Sequence, residues 1–177
     1  MTDYRDLIPV IVEREQAVLP DGYDAWGIKS VHPDLRTYGG YQWPLPGSVA
    51  KCDPAHIIAS SRDACPQQQG DGLCVALSWR GMASGGISAR TLLLVAYSTA
   101  DVLGEDLPSG KLRVSRVAVV ALVDGERLLR EAGADADLAG ADLAGAYLTD
   151  ANLADAQASF WTRWPAGFDH AAEGVLS

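Results

Sequence analysis

Cysteine is scarce in this chain, three in 177 residues, and the odd number argues against a disulfide framework. A reducing compartment is expected, with the cytoplasm as the default. Long apolar runs are missing too. The longest, LLLVAY (92–97) and VAVVALV (117–123), fall far short of the ~20 residues a bilayer-crossing helix needs, so no membrane partner is expected. The opening MTDYRDLIPVIVEREQAV begins with acids around a short apolar patch, unlike a secretory leader. Basic residues nearly vanish towards the end. Residues 1–133 carry 13 basic and 16 acidic side chains, whereas residues 134–177 carry one and seven. That acidic end disfavours nucleic acid as a partner and suits plain solubility or a basic protein surface.

Catalytic signatures are equally thin. Ser84 lies in GMASGG, which lacks the G-x-S-x-G elbow of a nucleophilic serine. Gly81, Gly85 and Gly86 lack the spacing of a phosphate-cradling loop and read as a surface loop. His32 and His56 show no acidic partner in sequence, and His170 lies in a tail. Cys52, His56, Cys65 and Cys74 would supply enough ligands for tetrahedral zinc. Their C-x3-H and C-x8-C spacings match no finger or ribbon, and Cys74 falls in an expected strand where a buried thiol is ordinary. A Cys65–Cys74 disulfide has no better support, and no cofactor or metal is expected. Arg36, Tyr38, Gln42, Trp43, Arg80 and Arg90 could line a polar pocket, and Tyr38, Trp43 and Arg80 are of the types favoured at contact surfaces. Nothing in the sequence makes them converge.

What the chain does have is a period. An alanine falls on every fifth residue from Ala136 to Ala156, and a leucine follows two places later at Leu138, Leu143, Leu148 and Leu153. A helix turns about 100° per residue, so five-residue steps scatter the leucines around it. A flat strand sends them to alternate faces. A chain that bends every five residues puts Ala and Leu on one inner side, with Gly140 and Gly145 suited to corners. An Ala-rich surface helix is the competing reading; composition favours it and periodicity does not.

This ADLAG–ADLAG–AYLTD–ANLAD run resembles the pentapeptide-repeat family, whose fold is a right-handed, four-sided β-helix. By that family's geometry, residues 136–160 make about one and a quarter coils, rising only ~5–6 Å. So short a stack needs a cap or a partner, since repeats bury their faces against neighbours. FWTRWPAGFD (160–169) holds both phenylalanines and two of the five tryptophans, Trp161 and Trp164. It reads as an aromatic cap turned by Pro165 and Gly167, similar to endings of such repeat proteins. Phe160, Trp161 and Trp164 are also contact candidates.

Residues 1–133 read as an α+β domain with a mixed sheet and short helices. A helix is expected within 4–18, strands at 23–31, 72–79, 89–97 and 111–123, and a helix at 125–133 closed by Gly133. Residues 134–160 are the repeat coil, and 161–177 a cap and tail. GDGLCVALSWRGMASGG (70–86), LLLVAY, DVLGED (101–106), GKLRV (110–114) and DGERLLREAGADADL (124–138) resemble the domain preceding short pentapeptide repeats in uncharacterised actinobacterial and actinophage proteins. That resemblance implies a bacterial or phage-virion setting and no catalytic residue. Three functions remain open. They are a non-enzymatic interaction or assembly module that binds a protein partner or itself through the repeat end, a small enzyme or nucleotide-type ligand binder using the N-terminal domain, and a DNA-gyrase-interacting protein. The short repeat disfavours the last.

Overall fold

The computed structural model describes residues 7–37, 41–52, 72–78, 81, 87–106, 110–132, 136, 138–139, 141–149 and 151–176. In chain order the elements are α1 (Leu7–Arg14), β1 (Ala25–Val31), β2 (Val49–Lys51), β3 (Leu73–Ala76), β4 (Thr91–Tyr97), β5 (Val102–Asp106), β6 (Lys111–Val114), β7 (Arg116–Asp124) and α2 (Gly125–Ala132). The strands form one seven-stranded sheet, ordered β2-β7-β4-β1-β3-β6-β5, that curls as a half-barrel. Its described pairings are all antiparallel, where a mixed sheet was expected. Parallel neighbours need a crossover of a dozen or more residues, usually an α-helix, and neither α1 nor α2 joins two strands.

β4 explains why the sheet has two cores. All its residues but Thr91 are buried. Strand alternation sends Leu92 and Leu94 to one face and Leu93, Val95 and Tyr97 to the other. On the second face, Val31, Val75, Leu112, Val114, Val117 and Val119 are closed over by Leu35 and Trp43 from the loop after β1. On the first, Leu7 and Ile11 of α1 and Leu128 and Leu129 of α2 pack with the leucines of the repeat in a single cluster.

The stretch 111–123 was expected as one strand and is two. Asp101, ending a 3-10 turn (Thr99–Asp101), accepts the Ser115 amide at its carbonyl (3.0 Å) and the Ser115 hydroxyl at its carboxylate (3.2 Å). The same carboxylate takes the Arg116 Nε–H at 2.6 Å. The chain therefore switches there from pairing with β3 and β5 to pairing with β4 and β2. α2 starts where expected, the Asp124 side chain accepting the Arg127 amide at 2.9 Å.

Among the described residues, 136–176 hold no helix and no extended strand. They bend at each repeat. The amides of Ala141, Ala146, Ala151 and Ala156 donate to the carbonyls of Leu138, Leu143, Leu148 and Leu153 at 2.9, 3.0, 3.0 and 3.1 Å. All four leucines and Ala136, Ala141, Ala146, Ala151 and Ala156 are buried. A surface helix is thus not what these residues form.

Successive passes pair in parallel through the backbone. Gln157 bonds to Ala136 and Leu138 (2.8 Å each), Arg163 to Ala141 and Leu143 (2.9 and 2.8 Å), and Leu176 to Ala156 and Ala158 (2.8 and 2.7 Å). About one and a quarter coils were expected of residues 136–160. Parallel pairing runs beyond them, from Ala136–Leu138 through Gln157 to Leu176, three passes that span ~10 Å at ordinary strand spacing. Arg163 and Leu176 of these pairings lie in the segment read as cap and tail, where Thr162 and Val175 are buried without the Ala/Leu pattern.

Candidate interaction surface

Phe160 and Trp161 protrude from the winding, 92% and 76% exposed, with their rings edge-on at 5.3 Å. The turn carrying them is clamped at both ends. The Thr162 amide donates to the Ser159 carbonyl (2.9 Å), the Ser159 amide to Thr162 Oγ1 (3.0 Å), and the Trp161 amide to Ser159 Oγ (3.3 Å). The Thr162 hydroxyl in turn donates to the buried Leu138 carbonyl at 2.9 Å, pinning the turn to the first repeat. Two large apolar rings therefore stand in water on a fixed base.

The rest of the aromatic cluster faces the other way. Trp164 is half-buried against the core, stacked on Phe168 (5.5 Å, 25°) and on His170 (5.2 Å, 4°). The expected cap thus divides: Trp164 and Phe168 cover the apolar cluster, while Phe160 and Trp161 do not. Tyr147, at the second place of the third repeat, is also exposed.

The remaining contact and ligand residues do not gather. Trp43, expected at a surface, is 2% exposed in the core, edge-on to Tyr41 at 5.7 Å with Lys29 Nζ 6.0 Å from its ring centroid. Burial pushes the Tyr41 phenol above its ordinary pKa. Arg36 Nε–H donates to Gln42 Oε1 (3.1 Å), and Gln42 bonds back to the Asp34 carbonyl (2.9 Å), so that pair closes its own hairpin. Arg90 pairs with Glu126 of α2. Cys52 follows β2 and Cys74 lies in β3, four places away in the sheet order. Among the described residues no group of three His, Cys, Asp or Glu is placed to hold a metal ion. Tyr38, His56, Cys65 and Arg80 lie outside the described residues.

Two features were invisible in the sequence. Lys111 and Arg113 of β6 are 5% and 1% exposed, although charged side chains are almost never fully buried. The Ser159–Thr162 clamp has a sequence signal only in hindsight, since Ser-x-x-Thr is a common local pairing.

The family model for pentapeptide repeats (8 copies) matches residues 134–160, 27 of the 177 in the chain. No curated protein and no solved structure matches the chain. Among the described residues no helix is long and apolar enough to cross a membrane.

Proposed function

We propose that this chain is a non-enzymatic protein–protein interaction or assembly module, of bacterial or phage origin, whose working end is its C-terminal winding. The observation that carries the reading is the Phe160–Trp161 pair. Large aromatic rings are costly to leave in water and are enriched where proteins meet, and these two sit on a clamped turn. The pentapeptide match supports it, because such repeats commonly serve as interaction or structural modules.

In this reading residues 136–176 form a short right-handed, four-sided β-helix. Bends every five residues and parallel passes 19 to 21 residues apart are what that fold requires. The segments 1–133, 134–160 and 161–177 act together, since one apolar cluster runs through α1, the sheet, α2, the repeat and Val175. Imitation of a DNA duplex before gyrase has little support, because a ~10 Å stack matches only about three base-pair steps.

A photo-activatable residue at position 161, with a control at exposed Glu13 on α1, tests the proposal in the source cells, beside light scattering across concentrations. Discrete protein adducts from 161 alone, or a concentration-dependent oligomer, are expected. Identical patterns from both positions with a monomeric mass would overturn it.

A further inference from the structure

The partner's chemistry can be narrowed, granting the interaction reading above. Residues 134–177 contain seven acids and one basic residue, Arg163. That arginine is committed: its Nη1 lies 2.7 Å from the Asp142 carboxylate. The segment holds six other acids and no further lysine or arginine. Asp155 occupies the turn one repeat before Phe160, and five residues of extended chain reach at most ~17 Å. Asp169 and Glu173, in the following pass, are exposed as well.

We infer that Phe160 and Trp161, with the acidic winding that carries them, dock a lysine- or arginine-rich segment of a partner protein. The negative field draws the basic segment in and raises the encounter rate. The ring faces then accept the cationic heads, and the ring bodies cover the aliphatic stems. A second copy of this chain is the poorer occupant, because two such ends carry like charge and repel. A neutral apolar partner would leave the charge imbalance unused.

Three synthetic peptides of equal length test this against the full chain by calorimetry: lysine-rich, glutamate-rich, and uncharged apolar. The Phe160→Ser/Trp161→Ser double variant keeps its fold because both rings are exposed, and matching circular dichroism and Tm verify that. The lysine-rich peptide should bind, tenfold or more weakly to the double variant, and about fivefold more weakly when salt rises from 50 to 300 mM. Equal binding by variant and wild type overturns the inference, since charge alone would then suffice. So does equal binding of the uncharged peptide. A concentration-dependent dimer abolished by the variant would make the occupant a second copy. If position 161 gives protein adducts in cells while lysine-rich peptides fail, the interaction reading stands and this inference falls. Failure of both removes both.

Discussion

The Asp142 carboxylate lies 2.7 Å from the Arg163 guanidinium, and the same two residues are partners in a parallel backbone bridge. One contact thus joins two passes of the winding through both side chain and main chain. Asp142 is only 5% exposed and also accepts the Ala144 amide at 3.0 Å, while its carbonyl takes the Ala89 amide at 3.0 Å. It therefore ties the winding to the segment leading into β4 as well.

Replacing Arg163 by Met should cost more than an ordinary surface ion pair, because it strands a buried carboxylate. The arginine is about two-thirds exposed, so ~1–2 kcal/mol is expected, below the ~3–5 of a fully buried pair. Asp142→Asn keeps an acceptor for Ala144 and should cost less. A double-mutant cycle by urea denaturation checks this, and a coupling below ~0.3 kcal/mol would show that the backbone bridge alone holds the passes.

Leu153 is 1% exposed within the cluster shared by the sheet, both helices and the repeat. Leu153→Ala should destabilise the chain by ~2–5 kcal/mol. Tyr147→Ser, at an exposed site of the preceding repeat, should change stability by no more than ~0.5 kcal/mol. Because one cluster spans the chain, far-ultraviolet dichroism and tryptophan fluorescence should report a single coincident transition shifted as a whole. An early transition confined to one probe would mean the winding unfolds independently.

Legibility in the sequence followed the range of the interaction. β1, β3, β4 and α2 announce themselves through local periodicity and through Asp124-Gly125, and the five-residue repeat through its own spacing. The break at Ser115 does not, since it depends on Asp101, fourteen residues earlier. β2 has three residues and β5 reads VLGED, so neither offers a run long enough to see. Trp43 sits in a Gly- and Pro-rich stretch that looks like surface loop, yet its amide bonds to the Leu35 carbonyl and the loop folds over the sheet. The later passes of the winding pair through backbone groups, which any residue except proline can supply, so no side-chain repeat marks them. Which rings of FWTRW face out was set by a turn whose clamp reaches back to Leu138, a contact the sequence does not display.

Gly125 opens α2 with its amide bonded to the Arg90 carbonyl at 2.9 Å. A methyl group there would run into the carbonyl oxygen of Ala89, with that of Arg90 3.2 Å away. Both obstacles are backbone, so the helix start must move. Alanine is the better helix former by ~1 kcal/mol, which sets two effects against each other. The clash should win, leaving Gly125→Ala destabilised by ~1–3 kcal/mol in chemical denaturation. A stabilised variant would mean that α2 shifts freely on the sheet.

Glu131 closes the acid-sensitive link between the two helices. Its carboxylate accepts Arg127 Nε–H at 2.7 Å within α2 and meets Arg14 of α1 at 2.6 Å. The hydrogen bond to Arg127, aided by the charge of Arg14, holds this carboxyl below the ordinary glutamate pKa. A carboxylate in the last turn of a helix is disfavoured by the helix dipole, so the two arginines offset that position. A depressed carboxyl stabilises the fold above the unfolded glutamate pKa of ~4.3, and the contribution is lost as pH falls through the lower, folded value. Glu131→Gln should therefore lower Tm slightly at pH 7, and the gap from wild type should close as the solution is acidified below about pH 4. The site is solvent-exposed, so raising salt at pH 7 should shrink the same gap. A difference in Tm that stays constant from pH 7 to pH 3 would show that Glu131 acts through packing or helix propensity rather than through its charge.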